Sequence, residues 1–471
     1  MSARKRTLAR LLPVIIAILA ILLAGLVAVV ILMNSAQSSP EPTETTAPIT
    51  DPPTDPPTEP PTEPPTEPPT EPPVVQNDLM NMAIVRINPN GAIGDEYSSA
   101  TVSITWDDGE IPAQVAKIRT RGFTSANSSK KSYNIKFDQK VSVMGMDKDK
   151  KWTFLGTPYD KTLLRAALAL DYGARIGLAY VPEYRFCKLY LNGQYRGIYI
   201  IVEPLDIDEG RVELDKDNGD FIIERNRNRT EDGVSYFTTN SGLRFEMSDP
   251  DEITAEQLNT YKATINEIEA LIRTADHTKY ETRIDVESFV NFYIFHEMIK
   301  DIDFGRFSTR YYVKDGVLYA GPPWDFDLSM GNISDVYSET IYKRYGNRGG
   351  QGNGSNDSTQ ALWVQGDWYT WLCQDPYFME LVKARWQELR PVTENLFRDN
   401  TLGTNALDRY LAAYQTDIES NYTIWSLTKP GTQLAYQSPA RTYVGTVEIL
   451  RTWLQKRMAD LDTQFGTGEA N

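Results

Sequence analysis

Asp301-Ile-Asp303-Phe-Gly-Arg-Phe-Ser308-Thr-Arg-Tyr-Tyr312 is followed closely by Gly321-Pro-Pro-Trp324-Asp325-Phe-Asp327-Leu-Ser-Met-Gly331-Asn332. The stretch between them, Tyr311-Tyr-Val-Lys-Asp315-Gly316-Val-Leu-Tyr319, reads as strand, Asp-Gly turn and strand. An antiparallel pair returns the chain to the end it started from, so the two acidic stretches are expected to meet there. Carboxylates that converge must bind a divalent cation, share a proton or hold a cationic side chain, because left alone they repel. The same arrangement suits phosphoryl transfer, where one carboxylate orients an acceptor hydroxyl and another holds a metal on nucleotide phosphates.

Working outward, the flanking sequence reads as α+β. Met82–Asn88, Ala100–Trp106, Ala113–Arg119 and Ser132–Phe137 are short β-rich runs, with turn signals at Asn88-Pro-Asn-Gly91 and Asp107-Asp-Gly109. Arg185–Leu191 and Arg196–Val202 form a further pair around Asn192-Gly193. Lys161–Leu178 carries apolar residues at helical spacing and stops at Gly177. Behind these the chain turns helical. Thr254–Ala275 opens with the capping-box pair Thr254 and Gln257, and Val286–Lys300 runs up to the first acidic stretch. Tyr377–Leu389, Ala406–Glu419 and Tyr443–Thr463 follow a Gly/Asn/Ser-rich loop, Tyr345–Thr359. The pattern predicts one folded region over 77–466, with a β-rich front lobe, a helical rear lobe and a ligand cleft between them. Residues 467–471 read as a disordered tail.

The N-terminal part is of another kind. Arg4, Lys5, Arg6 and Arg10 precede an uncharged apolar run, Leu11–Met33. That run exceeds the roughly 20 residues a bilayer crossing needs and the about 7–15 of a cleaved signal core. The expectation is a cytoplasmic basic segment over 1–10 and a transmembrane helix over 11–33, a single-pass anchor in the cell membrane with all that follows extracytoplasmic. A long cleaved signal is the alternative. Residues 34–76 repeat Pro-Pro-Thr-Glu/Asp and read as an extended linker that buries no core. At about 3.1 Å per residue it reaches on the order of 100 Å, the scale of a cell wall, which is a candidate partner beside the membrane.

A net charge of −16 with no basic stripe excludes nucleic acid as a partner. Cys187 and Cys373 could pair outside the cell, although Cys187 sits in a strand-like run and reads as a buried apolar residue. His277 and His296 are the only histidines and no Cys cluster accompanies them, which argues against zinc. Neither a Walker loop nor Gly-x-Ser-x-Gly is present.

Several further motifs occur in order. They are Lys117-Ile-Arg119-Thr-Arg121-Gly122-Phe-Thr-Ser125, Lys130-Lys131-Ser-Tyr133-Asn-Ile-Lys136-Phe, Lys151-Trp152 with the helix near Asp160, and Leu189-Tyr-Leu-Asn192-Gly193-Gln-Tyr195-Arg-Gly197-Ile-Tyr199. Glu203, the Glu297/Asp303 segment and Pro323-Trp324-Asp325-Phe-Asp327 complete the set. Together they resemble the spore-coat protein H kinases, the CotH kinase family of atypical secreted or extracytoplasmic bacterial protein kinases, over roughly residues 80–460.

The resemblance implies an atypical protein-kinase-like two-lobed domain and an enzyme that moves the γ-phosphate of ATP, with Mg2+ or Mn2+, to Ser or Thr hydroxyls of a surface or secreted protein substrate. It implies Asp303 as the catalytic residue, with Asp301 as a rival, and Asp325 as the metal ligand, with Asp327 and Asn332 beside it. Ser308 stands five positions after Asp303, where kinases carry a metal-binding Asn, and a neutral hydroxyl is the weaker ligand. Arg119, Arg121 and Gly122, which start a Gly/Ser/Thr-containing loop, and Lys131 or Lys136 would hold phosphates. Glu203 would lie near the nucleotide. Blander readings stand beside these: solvated acids at a helix end, a calcium-binding turn, lysines on an edge strand, and a non-enzymatic cell-surface or wall-binding protein that keeps the fold. Trp152 and Trp324 read as packing residues.

Overall fold

Alternation of apolar side chains organises the front half. Val85, Ile87, Val102, Ile104, Ile118, Ile135, Trp152, Phe154, Leu189 and Ile201 fall on one face of their strands and fill one core. In the computed structural model, which describes residues 79–122, 125–333, 362, 364, 366–428 and 438–466, this core is the inside of a closed barrel. Its strands are β1 (Ala83–Pro89), β2 (Ser98–Trp106), β3 (Gly109–Arg121), β4 (Ser132–Val141), β5 (Asp149–Leu155), β6 (Tyr184–Leu191) and β7 (Gln194–Val202). Their order is β1-β2-β3-β4-β5-β7-β6, and the ring closes through the parallel pair β1 and β6, with Val85 opposite Leu189. Closure leaves no free strand edge. The basic segment, apolar run, linker, Gly/Asn/Ser-rich loop and C-terminal tail lie outside the described residues. Among the described residues no helix is long and apolar enough to cross a membrane.

Helix α1 spans Arg165–Arg175, four residues shorter at its start than the periodicity predicts. The Asp160 carboxylate accepts from the Thr162 amide and hydroxyl, from the Arg165 amide and from Arg165 Nη1, which ties 160–165 into a loop.

The rear half contains a second sheet that the sequence reading reached only in its hairpin. Strands β8 (Phe221–Arg225), β9 (Tyr236–Thr238), β10 (Arg244–Asp249), β11 (Arg310–Lys314) and β12 (Val317–Ala320) pair antiparallel in the order β12-β11-β8-β10-β9. Around it lie α2 (Ala255–Ile272), α3 (His277–Tyr280), α4 (Val286–Ile299), α5 (Tyr369–Leu372), α6 (Pro376–Glu394), α7 (Ala406–Asn421) and α8 (Tyr443–Phe465). The class is α+β. The capping box of α2 forms, with Gln257 N–H donating to Thr254 Oγ1 and Thr254 N–H to Gln257 Oε1.

Helix α4 is buried along its whole length after the first turn, from Phe289 to Ile299. Its buried carboxylate, Glu297, pairs with Arg457 of α8 at 2.7 Å, both side chains wholly buried. Val364 N–H donates to the other Glu297 oxygen at 2.8 Å, and Arg457 Nε donates to the Glu297 carbonyl at 2.8 Å. The pair fixes the helix that delivers the first acidic stretch. The disulfide does not form: both cysteines are free, Cys187 inside the barrel core and Cys373 just after α5.

Candidate active site

The hairpin of β11 and β12 sets the site. Asp315 and Gly316 both take positive φ, 51° and 77°, as a tight two-residue turn requires. The register places Tyr311 opposite Ala320 and Lys314 opposite Val317, so residues before β11 return beside residues after β12. There Ser308 Oγ donates to Asp325 Oδ2 at 3.3 Å. Asp303, Asp325 and Asp327 line one cavity of about 80 Å³, which Arg121, Gly122 and Ser125 close from the barrel side. Gly122 has φ +86°, and a Cβ there would overlap Ser125 Oγ, so glycine lets this loop fold closely on itself.

Local structure holds each acid in place. Helix α4 stops at Lys300 in the left-handed region, and the Asp303 carbonyl accepts from Arg306 and Phe307 N–H, both at 2.9 Å. Asp325 itself adopts φ +71°, a conformation that non-glycine residues take rarely and mostly under outside constraint. Part of that constraint is the buried Asp160–Arg165 pair at 2.6 Å, whose guanidinium also donates to the Ser329 and Met330 carbonyls at 3.1 and 3.3 Å. Asn332 contributes to the anchorage through its side-chain amide. Its amide nitrogen donates to the Tyr159 carbonyl at 3.1 Å and to the Asp327 carbonyl at 2.6 Å.

Burial pushes the Asp303 carboxyl above the usual range, with Asp325 adding repulsion and Arg306 opposing it. Asp301 and Asp327 are pushed well up, by burial first and then by Asp303 and Asp325 respectively. Burial pulls the Arg121 guanidinium down, while Asp325 counteracts it. A set of oxygen donors that repel one another suits a hard divalent cation. Among the described residues no three His, Cys, Asp or Glu side chains form a group that could hold a metal.

A second cavity of about 430 Å³ shares Arg121 with the first and lies within the usual range for ligand pockets, roughly 300–1,000 Å³. Arg119, Lys136, Trp152, Leu205, Arg310 and Trp324 contribute to its wall. Trp324 is more than packing. The guanidiniums of Arg121 and Arg310 both lie over its ring, at 5.2 and 5.4 Å from the centroid. Arg119 Nε and Arg310 Nε and Nη1 are buried without a hydrogen-bond partner among the described residues. Buried donors of this kind call for acceptors, and a phosphorylated or similarly oxygen-rich ligand supplies them.

The site residues expected from the sequence divide accordingly. Asp303, Asp325, Asp327 and Arg121 share the small cavity, Ser308 touches Asp325, and Lys136 lines the larger cavity. Lys131 lines neither, because its ammonium donates to the Ala126 carbonyl at 2.6 Å. Glu203 also lines neither. It binds Arg211 at 2.7 Å and accepts from Glu183 N–H at 3.0 Å, and its neighbours Pro204 and Leu205 take the cavity wall instead. Arg119, offered to phosphates with Arg121 in the sequence reading, lines the larger cavity, whereas Arg310 was missed as a ligand-facing group. The sequence reading also missed Glu224, which accepts from Ser308 N–H at 3.0 Å and pairs with Arg310 at 2.5 Å, and Arg229, which lines the small cavity. Arg310 stands inside the quoted stretch, next to the Ser308-Thr pair, and was the one with a signal to follow.

The family model described as CotH kinase protein matches residues 118–461. No curated protein gives a match. The matched span covers well over half of the 471 residues and holds every residue of both cavities from Ile118 onward, and the chain belongs to the CotH kinase family.

Proposed function

We propose that this member of the CotH kinase family is a phosphotransferase that moves the γ-phosphoryl group of ATP to a Ser or Thr hydroxyl of a protein, from an extracytoplasmic position anchored by its apolar N-terminal run. The observation that carries the reading is the meeting of Asp303, Asp325, Asp327 and Arg121 in one small cavity that shares Arg121 with a cationic cleft of nucleotide size. In this reading Lys136, Arg119 and Arg310 meet the nucleotide in the cleft and Arg121 meets the phosphates. Asp325 and Asp327 would hold Mg2+ or Mn2+, which when bound neutralises phosphate charge. Ser308 holds the Asp325 carboxylate in one orientation. Asp303 orients the acceptor hydroxyl, and a carboxylate raised by burial is a better proton acceptor than a solvated one. Catalysis then comes from positioning and charge neutralisation.

The test is the purified full-length chain with γ-labelled ATP, Mg2+ or Mn2+ and generic protein acceptors. Label should enter protein and fall by on the order of 10²-fold or more in Asp303→Ala and Asp325→Ala, with the thermal transition kept. Label that persists in both variants refutes the assignment of the site. Absence of both transfer and metal-dependent ATP binding by calorimetry would leave the non-enzymatic cell-surface reading in its place.

A further inference from the structure

Three arginines leave β8 in alternate positions, Arg225, Arg227 and Arg229, and they bear in order on the turn that carries Asp303. Arg225 Nη2 donates to the Gly305 carbonyl at 2.9 Å. Arg227 N–H donates to the Arg306 carbonyl at 3.0 Å. The Arg229 guanidinium lies 3.9 Å from the Phe307 ring centroid. The turn is thus clamped along its length, and the clamp faces two ways. Arg229 lines the small acidic cavity with Asp303. Arg225 and Arg227 line a different cavity of about 540 Å³, bordered also by Gly305, Arg244, Asp367 and Trp371.

That cavity has a one-sided charge. Among the described residues lining it are three guanidiniums, Arg225, Arg227 and Arg244, and a single carboxylate, Asp367. Asp367 is bound to Arg225 Nε at 2.8 Å. Arg244 Nη1 donates to the Asn226 carbonyl and side-chain oxygen, both at 3.0 Å, and to the Arg229 carbonyl at 2.8 Å. Neutral acceptors such as these orient a guanidinium without cancelling its charge. Guanidiniums thus outnumber carboxylates among these lining residues, in a chain whose net charge is −16.

We infer that this cavity receives an anionic residue of the acceptor chain, an Asp, a Glu or an already phosphorylated Ser or Thr, while a hydroxyl a short way along the same chain reaches Asp303. Guanidinium forks pair with carboxylate and phosphate oxygens in two-point fashion. The turn borders both cavities, with Asp303 lining the small one and Gly305 the other, so one acceptor strand crossing that turn would engage both. The inference rests on the phosphotransferase reading and names the substrate class for it.

The experiment uses the full-length chain with ATP and Mg2+ and a set of peptides. Each carries one Ser, flanked by Glu, phosphoserine, Ala or Lys. Two readouts are taken, kcat/KM for transfer and peptide binding by fluorescence anisotropy without nucleotide. The Glu and phosphoserine peptides should exceed the Lys peptide by about tenfold in kcat/KM. The ratio between the two anionic peptides separates a carboxylate pocket from a phosphate pocket. Arg227→Gln and Arg244→Gln should shrink the anionic-to-Lys ratio to about threefold or less, and Arg227→Lys should keep more of it. Because Arg244 also ties down loop carbonyls, the peptide series on the unsubstituted protein decides alone if that variant does not fold. Transfer that is equal across the series, or that favours Lys, overturns the inference and leaves the phosphotransferase reading standing. Binding of anionic peptides that depends on Arg227 and Arg244, without transfer to any peptide, supports the cavity and removes the phosphotransferase reading.

Discussion

Arg457→Met would strip the Glu297 carboxylate of its countercharge at a site where both side chains have no solvent exposure. The Val364 N–H would still reach one carboxylate oxygen, but the oxygen now 2.7 Å from Arg457 Nη2 would face an apolar side chain. Removing one partner of a buried pair costs about 3–5 kcal/mol, because the remaining charge stays desolvated. Unfolding entropy of about 2.1 cal/mol/K per residue gives roughly 0.8 kcal/mol/K for a folded part of roughly four hundred residues. The melting temperature should therefore fall by about 4–6 °C. Adding Glu297→Gln removes the stranded charge and keeps an oxygen for Val364 N–H, so the double variant should recover about half of the loss or more. Differential scanning calorimetry of the full-length chain measures both. Nucleotide affinity should weaken in the single variant, since the C-terminal end of α4 delivers Asp301 and Asp303. A shift below about 1 °C, or a double variant less stable than Arg457→Met alone, would show that the pair does not hold the helix by charge compensation.

Two further predictions concern pH. Burial, with the Glu224 charge behind it, pushes the Glu246 carboxyl up to about 7. The folded state holds that proton longer than the unfolded chain, so its contribution is full below the ordinary carboxyl range and is lost as pH rises toward about 7. Glu246→Gln should flatten the decline of melting temperature between about pH 5 and about pH 7.5; parallel curves for the two proteins would disprove this. Lys130 is buried, donates to the Ile198 carbonyl at 2.7 Å and lies over the Tyr199 ring. Burial, aided by Lys161, pulls its ammonium down to about 7. Its contribution is therefore full above the ordinary lysine range and declines as pH falls toward about 7. Lys130→Met should gain stability relative to the unsubstituted protein between about pH 10 and about pH 7, and a pH-independent difference in melting temperature would count against it.

The meeting of the acidic stretches is legible in the sequence because a two-residue Asp-Gly turn fixes its register locally. The place of Ser308 beside Asp325 follows from that register. Lys131 was not legible in this way. Strand alternation sets a face, but the end of a long flexible side chain is captured by whichever carbonyl the next turn presents, here Ala126 in the short 3-10 turn Ser125–Asn127. The ion pair of Glu203 was not legible because its partner Arg211 comes from an irregular stretch with no periodic signal. Helical spacing over 161–178 hid the Asp160–Arg165 pair, whose function is to break the helix at its start. Closure of the barrel joins β1 to β6 across a long sequence separation, which no local pattern reports. Strands β8 to β10 are short and partly polar, so their pairing is decided by the neighbours they meet.

Arg121 belongs to the barrel, yet its guanidinium borders both chambers and stacks on Trp324. Occupants of the two chambers thus share one positive charge. Linkage makes that sharing symmetric: whatever factor a cation at Asp325 and Asp327 adds to the affinity of a guest in the larger chamber, the guest returns to the cation. A single side chain is enough for this reciprocity, with no domain movement and no ordering of a loop.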